Sequence, residues 1–422
     1  MADSATRRKV LNPEWVSHHG FFPLIRYEQK RDKFGVSGGI AQVKHKEPRV
    51  IRYCSHLDRC VFQRYAFLFD EAYEAYIKPL RVGESVIAYR RGEGKSNIDH
   101  AKRAFDFIQK TSRCIVIATD FKSFFETIDH AELKSSLCKV LGVDLLPDDY
   151  YAVFKNTTRY SSWDWDSLVR LSGLEGCRSA RKEMNAKERL LNTEEFKKNV
   201  KSNIELNTSG KGVPQGSPVS AVYSNIYLLD FDLAIKDIVD SAGGMYLRYC
   251  DDVFIAIPIK KDFHAALQVV ENALKCVEQK RGLCIQEEKT KRLLFWKDGG
   301  VGRFVPMDAE GNAEVGAKGE LVYLGLVFDG ESYRLAPRTI SRYHYRMRRK
   351  AKTVAKQGKG RKNLYGAYSG RSKDISGHGS FVDYAKRASH KMPLNDPEAT
   401  AIIDHNMEKI AKAINEKREG FS

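Results

Sequence analysis

The sequence lacks three features that would place it in other protein classes. None of its eight cysteines belongs to a Cys-x-x-Cys pair, so neither a zinc module nor a disulfide framework is indicated. Free thiols are typical of a reducing compartment, and a cytoplasmic location is expected. No apolar run reaches the roughly 18 residues of a membrane-spanning helix. Arg7-Arg8-Lys9 is not followed by the apolar segment of a secretion signal.

Acidic residues are absent from one long stretch near the C-terminal end. Between Ser341 and Lys373 there are twelve Lys or Arg and no Asp or Glu, in a chain of net charge +17. Tyr343, Tyr345, Tyr365 and Tyr368 are interspersed among these cations. Such a mixture can neutralise phosphates and stack on bases or sugars, whereas an unpartnered run would repel itself. The stretch therefore predicts binding to nucleic acid.

Two predicted strand ends carry carboxylates. Cys114–Ala118 reads as a strand that continues into Asp120, and Tyr249–Asp252 lies between the apolar runs Met245–Leu247 and Val253–Ile257, a pattern typical of a β-hairpin. Asp pairs also occur at ordinary bends, but neighbouring carboxylates in apolar surroundings repel unless a cation neutralises them. Two Mg²⁺ ions about 3.5–4 Å apart would suit such a set and would catalyse phosphoryl transfer. The pattern predicts a polymerase palm.

A glycine-containing segment, Lys211–Pro218, lies between these two halves. It precedes apolar positions at helical spacing from Val219 to Val239, and Ser217-Pro218 is a good helix start. The segment has neither the Lys-Ser/Thr of a P-loop nor a G-x-G-x-x-G fingerprint, so an NTPase loop is not indicated.

Taken in chain order, these segments resemble the reverse transcriptases of bacterial origin, the group that includes retron and group II intron enzymes. The resemblance covers most of the chain, and five boxes, motifs A to E, follow the expected order and spacing after a fingers motif. The matching segments are Arg49 and Asp58-Arg59 in the fingers motif, Asp120–His130 as motif A, Gly212–Pro218 as motif B, Tyr249–Asp252 as motif C, Gly282–Thr290 as motif D and Tyr323–Leu326 as the motif E primer grip.

The resemblance implies an α+β, right-hand polymerase fold with fingers, a ferredoxin-like (split βαβ) palm and a helical thumb. We place an N-terminal extension and the fingers at residues 1–112. The palm is expected at 113–335, with a helical insertion around 150–210. Residues 336–422 are expected to form the basic helical thumb.

The resemblance also assigns catalytic roles. Asp120 and Asp251 should bind both Mg²⁺ ions, Asp252 should tune them, and the carbonyl of Phe121 should complete an oxygen coordination sphere. Lys289 is the candidate for protonating or neutralising the leaving pyrophosphate. Its alternative role is that of a solvated lysine at a strand edge.

The expected dNTP site contains one selectivity residue and several binding residues. Phe125 matches the position whose ring stacks under the sugar and excludes a 2′-hydroxyl, although an ordinary core role stays open for it. Gln215 and Tyr249 should line the nucleotide pocket, while Arg49, with Lys46, should hold the triphosphate. The residues expected to contact nucleic acid are Tyr323, Leu324 and Gly325 of the primer grip and Arg342, Arg346, Arg348, Arg349 and Lys350 of the thumb.

The function implied is RNA-directed DNA synthesis from dNTPs, with an RNA template and a cDNA product. After the thumb no segment is expected for an RNase H, integrase or HNH nuclease. Retron enzymes carry an Asn-Ala-x-x-His box, where this chain has Ser96–His100, and a Val-Thr-Gly triplet that does not occur here. The remainder is most similar to defence-associated reverse transcriptases of bacteria, with their type 2 as a candidate, which copy a companion noncoding RNA.

Two other functions stay open at this point. One is a group II intron-type maturase that acts in RNA splicing, and the other is untemplated or protein-primed DNA synthesis as in abortive-infection relatives.

Overall fold

The computed structural model has the fingers, palm and thumb of a right-hand polymerase, as the sequence predicted. Side chains of 30–46 and 417–419 are not described. The residues that the structure describes are 3–37, 40–91, 94–277, 279–280, 283–314, 316–369 and 380–419.

The fingers consist of two short helices, a long hairpin and two longer helices. α3 begins after the cap residue Ser55, and α4 begins with a capping box between Ser96 and Asp99. Phe62, Phe69 and Tyr73 on α3 are fully buried and anchor the main core. The elements are α1 (Ser4–Val10), α2 (Pro13–His18), β1 (Leu24–Ser37), β2 (Ile40–Tyr53), α3 (His56–Ile77) and α4 (Asn97–Lys110).

The palm is built on a five-stranded antiparallel sheet and the helices that cover one face of it. Its elements are β3 (Arg113–Asp120), α5 (Phe124–Thr127), α6 (His130–Leu141), α7 (Asp148–Thr158), β4 (Ser161–Asp164), α8 (Trp165–Leu171), α9 (Ala180–Ala186), α10 (Thr193–Asn203), β5 (Ile204–Leu206), α11 (Val219–Tyr227), α12 (Leu229–Ser241), β6 (Met245–Tyr249), β7 (Asp252–Pro258), α13 (Phe263–Lys275), β8 (Lys291–Asp298) and β9 (Val301–Pro306).

The strand order of this sheet is β6-β7-β3-β8-β9. The first four strands have the order of a split βαβ fold, with β3 between β7 and β8. Ile115, Val116 and Ile117 of β3 are buried on both faces of the sheet, which explains why this strand reads as a continuous apolar run. Because β3 is held between β7 and β8, the position of its last residue, Asp120, at the edge of the sheet is fixed.

A small sheet connects the palm to the thumb. Leu321, Leu326 and Phe328 pack with α4 and the thumb helices in a second core. The elements are β10 (Leu321–Tyr323), β11 (Leu326–Phe328), β12 (Tyr333–Leu335), α14 (Pro337–Gln357), α15 (Arg361–Tyr368), α16 (Phe381–Lys391), α17 (Pro397–Asp404) and α18 (Asn406–Glu419).

The insertion between α7 and α11 joins the fingers. Its strands β4 and β5 extend the hairpin into a four-stranded sheet of order β2-β1-β4-β5, and its three helices α8–α10 enclose a separate small core of Trp163, Leu168 and Met184. The sequence indicated a helical segment here, and it gave no indication of the two strands.

Two helices expected to be continuous are each divided in two. The pattern from Val219 to Val239 forms α11 and α12, which meet at Leu228. The helical spacing of Ile403, Met407, Ile410 and Ile414 predicts one last thumb helix, which the structure divides into α17 and α18, separated by His405. In both cases each of the two helices buries an apolar face, so apolar residues continue at helical spacing across the break. The sequence pattern therefore does not show where one helix ends and the next begins. The spacing of Leu267, Val270, Leu274 and Val277 predicts the helix α13 and its end at Arg281-Gly282, two positions that lie outside the described residues.

In the part of the chain that the structure describes, no helix combines the length and the apolar character required to cross a membrane.

Candidate active site

Three carboxylates come together where the central palm strands end. Asp120 is the last residue of β3 and lies directly opposite Asp252, the first residue of β7. Asp251 precedes it in the turn, and its carbonyl oxygen accepts a hydrogen bond of 3.2 Å from the backbone N–H of Phe121. The antiparallel register therefore brings together two segments that are far apart in the sequence.

The electrostatics of this site show an excess of negative charge. Desolvation, followed by the charges of Asp251 and Asp120, raises the pKa of Asp252 to about 7. Lys289 opposes this effect, because its Nζ lies 2.7 Å from Oδ2 of Asp120. A raised pKa means that the ionised carboxylate is disfavoured, so further positive charge would stabilise this arrangement.

The donor chemistry fits Mg²⁺, which prefers oxygen ligands. Within the described ranges, however, no group of three or more His, Cys, Asp or Glu has the arrangement of a metal site. The Lys289 ammonium is the cation that engages Asp120 in this structure. Phe121 lies opposite Ile285 in an antiparallel bridge. The bridge is made by the Lys122 N–H, which donates to the Cys284 carbonyl, and by the Gln286 N–H, which donates to the Asp120 carbonyl, so it does not use the Phe121 carbonyl.

Left-handed backbone is concentrated around the carboxylates. Among the described residues, the non-glycine positions with positive φ are Tyr89, Ser123, Cys250 and Leu324. Ser123 follows Asp120 in motif A, Cys250 lies in the carboxylate turn, and Leu324 lies in the primer grip. Such conformations cost energy and persist where the surrounding structure requires them, commonly at functional sites. Tyr89, which the sequence did not single out, belongs to this group and is 48% exposed.

Motif B lies against the Phe125 position. The Val213 N–H donates a 2.8 Å hydrogen bond to the Phe125 carbonyl, and the Gln215 carbonyl accepts one of 2.9 Å from the Arg52 N–H. Gly216 has φ +124°, and a Cβ there would lie 2.6 Å from the Arg52 carbonyl oxygen. Only glycine permits this close approach. The Phe125 side chain is half-buried, as a ring that borders a pocket would be.

The structure says less about the other residues expected to bind the nucleotide. Arg49 is exposed on β2, three residues before the Arg52 contact with motif B. The side chain of Lys46 lies outside the described residues. Tyr249 is half-buried in β6 and pairs with Asp252 across the hairpin, and burial raises its pKa.

The primer-grip turn presents fewer side chains than expected. Tyr323 is only 4% exposed, and its ring packs 5.0 Å from that of Phe254, so the Tyr323 side chain belongs to the core and does not face nucleic acid. Leu324 and Gly325 form the turn itself. The Leu324 carbonyl accepts a 2.8 Å hydrogen bond from Nδ2 of Asn97, which ties the turn to the start of α4.

The basic stretch of the thumb forms an exposed helix face. Arg342, Arg346 and Arg349 are exposed on α14, at a spacing that places them on one side. Burial, followed by the charges of Arg338 and Arg346, lowers the pKa of Arg342. We name Arg338, Arg342, Arg346 and Arg349 the arginine stripe. Arg348 and Lys350 are also exposed and lie at its flanks.

Sequence reasoning missed a buried ion pair beneath the carboxylate turn. Arg248 in β6 and Asp232 in α12 are both completely buried and form this pair. A signal for it was present, because Arg248 interrupts an otherwise apolar strand. A charged residue at such a position is usually paired.

Comparisons with known proteins agree with this geometry. Residues 178–328 match the family model described as reverse transcriptase (RNA-dependent DNA polymerase); this span contains motifs B to E and begins after Asp120. No curated protein matches the chain.

Low structural similarity exists to telomerases of Candida species. Apo telomerase from Candida tropicalis, truncated from its C-terminal domain, gives a TM-score of 0.46 at 14% identity and covers 73% of this chain and 55% of that one. Candida albicans telomerase in complex with a TWJ fragment of telomeric RNA gives 0.41 at 12%, covering 97% and 64%. The chain thus spans between half and two thirds of the length of these structures.

Residues 178–328 therefore match the reverse transcriptase (RNA-dependent DNA polymerase) family, and the palm strands β3 and β7 bring together the carboxylates that such chemistry would use.

Proposed function

We propose that this protein copies a structured companion noncoding RNA into cDNA, as part of bacterial defence against phage. The observation that carries the polymerase chemistry is the register of β3 against β7, which sets Asp120 opposite Asp252 and next to Asp251. The half-buried Phe125 beside motif B supports deoxyribonucleotides as substrates, since a bulky ring there would exclude a 2′-hydroxyl.

The residues of the site would have different roles in this reaction. Asp120 and Asp251 would hold a pair of Mg²⁺ ions, with Asp252 beside them and the Phe121 carbonyl as a further oxygen donor. When bound, the ions would stabilise charge on the attacking and leaving oxygens of an in-line displacement. Lys289 is half-exposed and holds a positive charge beside Asp120, which places it to neutralise the leaving pyrophosphate.

The arginine stripe supports a nucleic-acid partner. Its cations point away from the buried face of α14 and can follow a phosphate backbone. Phosphate contacts fix position but carry no sequence information. Selection of one template would therefore come from a structured RNA that is recognised by shape, by 2′-hydroxyls and by bases stacked on aromatic side chains. The free cysteines are compatible with the cytoplasm as the proposed location.

The test is to express the protein with its native flanking DNA and to sequence the nucleic acid that copurifies. We expect one abundant noncoding RNA encoded beside the gene and cDNA complementary to part of it. Phage plaque counts should fall only when both Asp251 and this RNA are intact. A broad sample of cellular transcripts, or protection that survives Asp251→Asn, would contradict the proposal and favour the splicing or untemplated alternatives.

A further inference from the structure

A completely buried ion pair lies directly beneath the turn that carries Asp251. Nε and Nη2 of Arg248 each donate a 2.6 Å hydrogen bond to one oxygen of the Asp232 carboxylate. Neither side chain has any exposed surface. The two parallel bonds use the planar fork of the guanidinium, a geometry that a lysine ammonium does not reproduce.

The remaining donor of Arg248 contacts the catalytic turn. Nη1 donates a 2.9 Å hydrogen bond to the carbonyl oxygen of Cys250 and a longer one, 3.3 Å, to Oδ1 of Asn225. Cys250 has a left-handed φ of 61° and immediately precedes Asp251. A buried donor thus holds the strained residue that sets the direction in which the Asp251 side chain leaves the hairpin.

The same cluster joins several elements around the site. Nδ2 of Asn225 in α11 donates to the Ala88 carbonyl at 3.0 Å. The Arg248 backbone pairs with the segment that leads to Tyr89, since its N–H donates to the Ser85 carbonyl and its carbonyl accepts from the Ile87 N–H. These backbone bonds do not depend on the Arg248 side chain, so a side-chain substitution isolates the contact with the turn.

Stability alone is a poor explanation for this pair. Replacing a buried ion pair with apolar residues of similar volume is often neutral or stabilising, because taking two charges out of water costs several kcal/mol per ion. The pair differs from such replaceable pairs in its third partner, the Cys250 carbonyl. That contact gives it a role that apolar side chains would not perform.

We propose that Arg248, oriented by Asp232, is a positioning residue that fixes the Cys250–Asp251 turn in the geometry needed for catalysis. This inference rests on the proposed polymerase function. Arg248 does not contact substrate; it acts through the turn, while the Phe121 N–H holds the Asp251 carbonyl from the other side.

The chain offers a matched control on the same carboxylate. The Tyr246 hydroxyl donates a 2.6 Å hydrogen bond to Oδ1 of Asp232 and is buried as well. It has no bond to the turn among the described contacts. Tyr246→Phe therefore removes one buried bond from Asp232 and leaves the Cys250 contact in place.

The experiment compares three variants with the wild type: Arg248→Met combined with Asp232→Leu, Arg248→Lys, and Tyr246→Phe. The double variant leaves no unpaired buried charge. Arg248→Lys keeps a positive charge beside Asp232, so it can be tested even if the double variant does not fold. Thermal melting and RNA binding verify folding. The measurements are kcat and KM for dNTP incorporation and amide hydrogen exchange in the peptide that contains Cys250 and Asp251.

We expect the double variant and Arg248→Lys to lose on the order of 100-fold in kcat, with little change in KM or RNA binding, and to exchange turn amides faster than the wild type. Tyr246→Phe should keep the wild-type kcat and exchange rate. Wild-type kcat and turn exchange in a folded Arg248 variant would overturn the inference. Hydrogen exchange does not require turnover, so it tests the positioning role even in an inactive protein. A wild type that incorporates no dNTP would contradict the proposed function and leave the exchange result to decide the role of Arg248.

Discussion

In the proposed mechanism, the chemistry depends most directly on the side chains of Asp120 and Asp251. Asp251→Asn removes the charge of a proposed metal ligand, so dNTP incorporation in Mg²⁺ should fall by several orders of magnitude while RNA binding persists. Asp230→Asn is a matched control, because Asp230 is an exposed carboxylate that pairs with Lys139 between two palm helices, and it should retain activity. Near-normal incorporation by Asp251→Asn would contradict the two-metal assignment.

Phe125 should select the sugar by steric exclusion. Phe125→Val should raise the use of ribonucleotides relative to deoxyribonucleotides, because the smaller side chain leaves room for a 2′-hydroxyl. The measurement is the ratio of kcat/KM values for matched rNTP and dNTP substrates. The neighbouring Phe124 is a core residue, so Phe124→Leu should cost roughly 1 kcal/mol of stability and leave the ratio unchanged. Equal use of both sugars by the wild type would rule out the gate.

For single residues, the sequence predicted a position correctly where the residue type and its immediate neighbours were enough to indicate it. Paired aspartates after apolar strands were sufficient to predict the carboxylate cluster. Tyr323 was assigned to nucleic acid, yet it is buried against Phe254, a contact between distant segments that no local pattern encodes. The same limit applies to Arg248, since its partner Asp232 lies in a different element, the helix α12.

Among the elements, the β6–β7 hairpin was predictable because two apolar runs flank a polar bend. The division of α11 from α12 was not, since both halves are apolar toward the same core and the break at Leu228 leaves the spacing intact. The strands of the insertion were missed because β4 and β5 are only four and three residues long. The pairing of β4 with β1 and of β5 with β4, rather than their composition, makes them strands.

The α14 helix should bind phosphates through the arginine stripe. Replacing Arg342, Arg346 and Arg349 with Gln should weaken RNA binding for all sequences and reduce the slope of log K against log salt by about one unit for each phosphate that the helix no longer neutralises. The control replaces Lys197, Lys198 and Lys201 of α10, which are exposed, and removes the same charge elsewhere. Equal effects of both triple variants would show that only net charge matters.

On the scale of the molecule, the insertion should be separable from the catalytic core. Its apolar cluster of Trp163, Leu168 and Met184 is distinct from the two main cores, and Trp163 pairs with Ile204 across β4 and β5. Replacing residues 164–203 with Asn-Gly, a good two-residue hairpin turn, together with Trp163→Thr, should leave a folded protein.

This shortened protein should still extend an oligo(dT) primer on poly(rA), because the carboxylates and motif B are unchanged. Circular dichroism and primer extension measure the two expectations. A folded but inactive product would assign the insertion a part in catalysis, and an unfolded one would show that the fingers hairpin needs these helices.

The sheet shared by β1, β2, β4 and β5 also has a consequence for synthesis on the ribosome. The hairpin is translated early, but Leu24–Arg26 has no partner on its outer edge until Ser162–Asp164 has been made. At roughly 5–20 residues per second, this edge stays open for several seconds or longer after the hairpin leaves the exit tunnel. An open strand edge is a template for association with other chains, so nascent chains on neighbouring ribosomes of one messenger would be exposed to mispairing during this interval.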